Sequence, residues 1–320
     1  MKVLLIYNPF SGNGSFKNNL DYILEQFNKN NMDLVIYRLN DNETIQERIA
    51  CLNTKEYSKI LIAGGDGTIN QVVNAMMKCD VNLPIGIYPV GTANDYASYF
   101  NLPKNIPKLT QILLGDNFTY SDIGLANDKY FINVASLGFL VDISQKTDKK
   151  LKDNMGVFAY YLKGIEEFPN IRPFDVTITS DSLNITESIY FMLVMNGSSA
   201  GGFKKLSLGS SINDGLFNVF LFKEAPFKDL MFLLFKILNG SHVDSPTITY
   251  FQTSDLLIES DANVGTDLDG EIGSDFPISL TNITRKLKII TANNDERHHP
   301  KGKNITEKDM EKYIEKREIS

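Results

Sequence analysis

Lys59-Ile60-Leu61-Ile62-Ala63-Gly64-Gly65-Asp66-Gly67-Thr68 is the stretch that decides how this chain folds. Its first half is a short apolar run, which predicts a buried strand, and the segment Ile69 to Met77 that follows predicts a helix. At the junction, glycines let the backbone turn tightly and approach a ligand closely. The free N–H groups and positive dipole end of the helix favour an anion there. A strand, a glycine turn and a helix in that order form the place where nucleotide phosphates bind. Asp66 is the anomaly, because a carboxylate set among groups arranged for phosphate repels it unless a divalent cation lies between them. The stretch therefore points to a metal-nucleotide complex rather than a bare phosphate.

Working outward, the same arrangement recurs. Pro84-Ile85-Gly86-Ile87-Tyr88-Pro89-Val90 reads as another strand, followed by the turn Gly91-Thr92-Ala93-Asn94-Asp95 and a helical Tyr96 to Phe100. Upstream, Lys2 to Tyr7 is a near-continuous apolar strand, and Phe16 to Phe27 has helical spacing. Leu34 to Leu39 predicts a second strand and Thr44 to Leu52 a second helix. This alternation is that of a doubly wound sheet, on which ligands lie beyond the carboxyl ends of the strands. The turn Asn8-Pro9-Phe10-Ser11-Gly12-Asn13-Gly14 should face the same crevice. The Gly64 turn is no Walker A loop, since no Gly-Lys-Ser/Thr follows. Nor is it a full dinucleotide fingerprint, because Asn70 stands where the third glycine would fall.

At 320 residues the chain predicts two domains. From about Ser121 it changes to short β-rich runs, with helices confined to roughly Met155 to Phe168 and Phe227 to Leu238, which predicts an antiparallel sandwich or barrel-like second domain. The expected division is residues 1–121, residues 122–291, and a polar tail, 292–320, that is helical or disordered. A net charge of −7 argues against nucleic acid as a partner. The only cysteines, Cys51 and Cys79, lack metal-ligand spacing, and a reducing cytoplasmic setting is expected. No apolar run approaches the ~20 residues needed to span a bilayer. The run Leu230 to Leu238 reads as a buried helix or an interfacial membrane contact. The oligomeric state is open, a homodimer included.

Two further segments carry carboxylates. In Asp267-Leu268-Asp269-Gly270-Glu271, strand alternation places all three acids on one side of an extended segment, where they raise one another's pKa unless a cation or hydrogen-bond donors hold them. A solvated turn, a metal-bound or catalytic group, and a glycosidase-style acid pair all fit that pattern, though the last leaves the glycine turns unexplained. Asn213-Asp214-Gly215 reads as a hairpin turn that is equally able to hold a hard cation. Asn196 to Gly202 reads as a connecting loop or the rim of a cleft. The three histidines, His242, His298 and His299, have no catalytic spacing, and no nucleophile elbow is present.

Together, Asn8-Pro9-x-Ser11-Gly12, Gly64-Gly65-Asp66-Gly67-Thr68, Gly91-Thr92-x-Asn94-Asp95-x-Ala97, Asn213-Asp214-Gly215-x-Phe217 and Asp269-Gly270-Glu271 resemble, in order and spacing, the diacylglycerol kinase catalytic family. Its soluble bacterial lipid kinases are the nearest in pattern, and sphingosine and ceramide kinases belong to the same group. The resemblance extends over roughly residues 1 to 290. It implies an α/β plus β fold, with a Rossmann-like N-terminal domain, a C-terminal antiparallel β-sandwich, and an active site in the cleft between them. It implies that Asn8, Pro9, Phe10, Ser11, Gly12, Gly64, Gly65, Asp66, Gly67, Thr68, Thr92 and Asn94 contact ATP, with Asn40 contributing. It implies that Asp66 and Asp95 organise Mg²⁺, that Glu271 is the general base, and that Asp214 with the carbonyls of Ser211 and Leu216 holds a structural Mg²⁺. The expected function is an ATP- and Mg²⁺-dependent lipid kinase, cytoplasmic and reversibly peripheral at the membrane. The competing readings are a NAD kinase-like activity on a soluble nucleotide and a lipid- or nucleotide-binding sensor without turnover.

Overall fold

The computed structural model describes residues 1–39, 44–138, 172–181, 183–197, 211–226, 229 and 245–292. Four parallel strands form its N-terminal sheet in the order β2-β1-β3-β4: β1 (Lys2–Tyr7), β2 (Asp33–Arg38), β3 (Tyr57–Gly64) and β4 (Ile85–Pro89). The apolar runs of β1 and β3 are continuous because both faces of a parallel sheet are covered. One face buries Leu4, Ile6, Ile60, Ile62, Ile85 and Ile87 against α3 (Asp66–Lys78), through Ile69, Val72, Val73 and Met76. The other buries Val3, Leu5, Leu61 and Tyr88 against α1 (Leu20–Lys29) and α5 (Ile106–Leu114), through Ile23, Phe27, Leu109 and Leu113.

Local chemistry sets the helix ends. The short α2 (Ile45–Ala50) opens on a capping box in which the Thr44 hydroxyl accepts from the Glu47 N–H at 3.2 Å and the Glu47 carboxylate accepts from the Thr44 N–H at 2.8 Å. The predicted helix Phe16 to Phe27 begins instead as a 3-10 segment, Ser15–Asn19, that gives way to α1 at Leu20. At the far end of α5, the buried Lys59 ammonium donates to the carbonyls of Leu113, Leu114 and Gly115, at 3.3, 3.4 and 2.7 Å, and pairs with Asp116 at 3.0 Å. A cation in that position neutralises the carbonyls a helix C-terminus leaves unpaired.

The rest of the described chain is a β-sandwich. One layer runs β14 (Glu271–Ile272), β13 (Thr266–Leu268), β7 (Val134–Gly138), β9 (Asn184–Met195), β10 (Phe217–Lys223) and β11 (Ile248–Thr253). The other contains β8 (Phe174–Thr179), β12 (Asp255–Glu259), β15 (Ile278–Ile290), β5 (Phe118–Ala126) and β6 (Lys129–Phe131). Their inner faces meet through Phe131, Leu137, Val176, Met192, Phe217, Leu221, Leu256 and Leu280. The 13-residue β15 leaves the sandwich to pair Ile289 with Ile85 of β4, which joins the two sheets into one. Residue 121, where the sequence suggests a division, lies within β5. The segments Met155 to Phe168 and Leu230 to Leu238, the histidines and the tail beyond residue 292 lie outside the described residues.

Candidate active site

Three turns converge at the carboxyl ends of β1, β3 and β4. The Asn8 N–H donates to the Ala63 carbonyl at 2.9 Å and the Val90 N–H to the Gly64 carbonyl at 3.2 Å, so each turn is tied to the root of its neighbour. Glycine is required where they touch. A Cβ on Gly91 would stand 2.3 Å from the Gly65 Cα, and one on Gly12, which has φ +57°, would stand 2.3 Å from the Val90 carbonyl oxygen. The Asn8 side chain donates to the Thr68 hydroxyl at 3.2 Å and accepts from the Phe10 N–H at 2.9 Å. Asn94 sits at φ 54° and closes its own turn, accepting from the Gly91 N–H at 2.8 Å and donating to the Gly91 carbonyl at 2.7 Å. Thr92 and Phe10 are exposed on the rim, and Asn40 lies outside the described residues. A Cβ at Gly67 would meet nothing within 4 Å, so the first turn of α3 is open on that side.

Asp66 does more than face that space. Its two carboxylate oxygens accept from the N–H groups of Asp95, at 3.1 Å, and Tyr96, at 2.9 Å, and so hold the short helix α4 (Asp95–Ser98) against α3. This is charge-assisted bonding, and the second lone pair of each oxygen remains for another partner. Asp95 itself is buried at the head of α4. Sequence reading brings Asp66, Asp95 and the glycine turns together, and the structure does too.

The third acidic cluster differs from expectation. Asp269 and Gly270 both have positive φ, 53° and 92°, and make a two-residue hairpin turn that pairs Leu268 with Glu271. The three acids therefore diverge instead of sharing one side of a strand. The buried Asp267 accepts from the Gly270 N–H at 2.9 Å and fixes the turn. Asp269 points inward and accepts from three successive amides, Ile132 at 2.6 Å, Asn133 at 2.9 Å and Val134 at 2.8 Å. Burial pushes its carboxyl up to about 7, and the charge of Asp66 adds to the rise, while the three amides pull the other way. Glu271 is left exposed at the tip, with no hydrogen-bond or ion-pair partner among the described residues.

The chain matches the diacylglycerol kinase catalytic domain over residues 2–126. It matches the YegS C-terminal NAD kinase beta sandwich-like domain over residues 133–291. It is 34% identical over 289 residues to a diacylglycerol kinase of Bacillus subtilis (strain 168), covering 89% of this chain and 95% of that protein. This chain belongs to the diacylglycerol kinase catalytic family. A diacylglycerol kinase of Staphylococcus carnosus (strain TM300) is 31% identical over 289 residues, 90% of this chain and 94% of that one. A crystal structure of a diacylglycerol kinase from Bacillus anthracis str. Sterne aligns with a TM-score of 0.69 at 21% identity, over 91% of this chain and 96% of its own, which supports the two-part fold. As a member of this family of phosphotransferases the chain is a kinase.

Within this kinase lies a second acidic pair, of which sequence reading found only half. Asp214 accepts from the Ser211 N–H at 2.9 Å and the Leu216 N–H at 3.1 Å. Beside it, Asp122 of β5 accepts from the N–H groups of Gly215, at 2.7 Å, and Arg285, at 2.6 Å, filling a bulge in β15 where Arg285 has φ 51°. Burial raises the Asp122 carboxyl, and the charge of Asp214 raises it further, against the pull of the Arg285 and Gly215 amides. Two neighbouring carboxylates suit a hard cation such as Mg²⁺ better than a soft metal. Among the described residues no group of three or more His, Cys, Asp or Glu side chains forms a metal cluster, so backbone carbonyls or water must complete any such site. The polar pair Ser121-Asp122 inside the apolar run of β5 was the available signal for Asp122. Asn196, expected in a loop, is wholly buried and donates to the carbonyls of Asp122 and Ile132, both at 3.0 Å. No helix among the described residues is long and apolar enough to cross a membrane.

Proposed function

We propose that this kinase moves the γ-phosphoryl group of ATP to a lipid hydroxyl, with diacylglycerol giving phosphatidate as the leading acceptor. The observation that carries this reading is the contrast within one small region. Asp66 and Asp269 are held by backbone amides, whereas the exposed Glu271, on the same hairpin as Asp269, has no side-chain hydrogen bond or ion pair among the described residues. Residues 1–121 hold the nucleotide, its phosphates lying on the turns of Asn8 to Gly12, Gly64 to Thr68 and Thr92, and residues 122–291 receive the lipid. Asp66 and Asp95 would hold Mg²⁺, which neutralises phosphate charge, and Asp214 with the carbonyls of Ser211 and Leu216 would hold a structural ion. Glu271 accepts the hydroxyl proton as the lipid oxygen bonds to the γ-phosphorus and the bond to ADP breaks. The enzyme works from the cytoplasmic side, reversibly at the bilayer, as a monomer or a homodimer.

Names of relatives favour a lipid over the soluble-nucleotide alternative, since both quoted curated relatives are diacylglycerol kinases. Incubation with labelled ATP, Mg²⁺ and a total lipid extract, with NAD in a parallel arm, should yield labelled phosphatidate identified by mass. Label on NAD alone would replace this reading with a NAD kinase-like one. Absence of turnover in both arms would leave a binding protein.

A further inference from the structure

Among the described residues only four large apolar side chains stand exposed: Met1, Phe10, Ile36 and Ile272. Ile272 is 76% exposed and directly follows Glu271 on the β13–β14 hairpin. The hairpin is rigidly founded. Asp269 grips three amides of residues 132–134, and the Gly273 N–H donates to the Thr266 carbonyl at 2.9 Å. The Lys129 ammonium donates to the carbonyls of Ile272, at 3.1 Å, and Gly273, at 2.8 Å. A Cβ on Gly273 would stand 2.5 Å from the Thr266 hydroxyl, so the base of the arm is closely packed. Its tip is the opposite: Gly270, Glu271 and Ile272 are consecutive exposed residues, and a Cβ on Gly270 would touch nothing within 4 Å.

Proteins blunt such edge strands with charge, and here Lys129 already covers the edge carbonyls. The fold therefore has no need of an exposed isoleucine at that point. A bilayer does have a use for one. An apolar side chain on a preordered arm enters the headgroup–acyl boundary without first losing conformational freedom. We propose that the Gly270–Ile272 tip is the surface that seats the kinase on a lipid bilayer, with the Ile272 side chain inserted and Glu271 thereby carried to the plane of the acceptor hydroxyl. This rests on the lipid-kinase reading above.

The test compares wild type with Ile272→Asp and Ile272→Phe in two measurements. Flotation with phosphatidylcholine vesicles containing a long-chain diacylglycerol, without ATP, reads seating alone. Phosphorylation of that vesicle-borne lipid, against a water-soluble short-chain diacylglycerol, reads catalysis. Burying one aliphatic side chain is a tenfold-scale effect, so Ile272→Asp should lower vesicle binding and vesicle kcat/KM by about tenfold or more. Short-chain turnover should stay within about twofold, and Ile272→Phe should retain vesicle binding. Unchanged flotation of Ile272→Asp would overturn the proposal, as would an equal loss on both substrates, which would place Ile272 in the reaction itself. Failure of wild type to phosphorylate either lipid would instead sink the lipid-kinase reading, while flotation still judges the surface.

Discussion

The glycine turns of the N-terminal sheet and the amide-bound aspartates of the molecule both hold chain segments together, by opposite means. At the turns the contact is made by removing atoms: Gly91 lies on Gly65, and Gly12 on Val90, because no Cβ intervenes. At the aspartates it is made by adding hydrogen-bond acceptors. Asp66, Asp122, Asp214 and Asp269 each accept from two or more backbone N–H groups. A carboxylate so engaged is first a structural clamp, and any metal or catalytic duty is carried by lone pairs the clamp leaves over. Glu271, exposed and without a side-chain partner among the described residues, stands apart from that set. The comparison separates residues whose loss should slow chemistry from residues whose loss should loosen the molecule.

The largest effect expected is on Glu271, and it should be purely kinetic. Glu271→Gln keeps size and hydrogen-bonding capacity but removes the basic oxygen, so turnover should fall by about 10²- to 10⁴-fold. Since no amide among the described residues bonds this side chain, the melting temperature should not move. A melting-temperature drop matching that of a clamp mutant would assign Glu271 to the structural class and leave the base unidentified.

Asp269 should behave in the reverse manner. Asp269→Ala leaves three amides without their acceptor, and an unsatisfied buried donor costs about 1–3 kcal/mol, so a stability loss of about 3 kcal/mol is expected in denaturant titrations. Its ionisation provides a second check. Burial holds the folded-state value at about 7, above the ordinary 3.8, so the folded state retains a proton that the unfolded chain releases. Stability contributed by this group is therefore full below about pH 4 and declines as pH rises toward about 7. Asp269→Asn should remove that slope. If wild type and Asp269→Asn show the same pH dependence across this window, the amide donors outweigh burial and the carboxyl is ionised throughout.

These clamps explain which parts of the molecule were legible in the sequence. Glycine acts on its own backbone, so Gly64-Gly65 and Gly91 announce their turns locally, and the apolar runs of β1, β3 and β4 announce a sheet with both faces covered. An aspartate's partner need not be written beside it: Asp66 bonds to Tyr96, 30 residues on, and Asp269 to Ile132, 137 residues back. Reading Asp267, Asp269 and Glu271 by strand alternation failed because Asp-Gly takes two positive φ values and folds the segment back on itself. The bonding of Asp122 is illegible in the sequence because its partners, Gly215 and Arg285, come from the second half of the chain.

Gly91 and Gly67 sharpen the other half of the comparison. In Gly91→Ala the new methyl must displace the Gly65 Cα from 2.3 Å and the Asn94 carboxamide oxygen from 2.9 Å. Backbone cannot step aside as a flexible side chain can, so a loss of about 1–3 kcal/mol is expected, with activity falling as the two turns separate. Gly67 is the control. It lies in the first turn of α3, its Cβ would meet nothing within 4 Å, and alanine restricts the unfolded chain more than glycine does. Gly67→Ala should raise stability by about 0.5–1 kcal/mol. The same methyl would occupy the space in front of the α3 amides, so the KM for ATP should rise even as the protein becomes harder to melt. Greater stability with an unchanged KM would place the phosphates away from the N-terminus of α3, and a loss of stability would show that Gly67, like Gly91, is held in place by close packing.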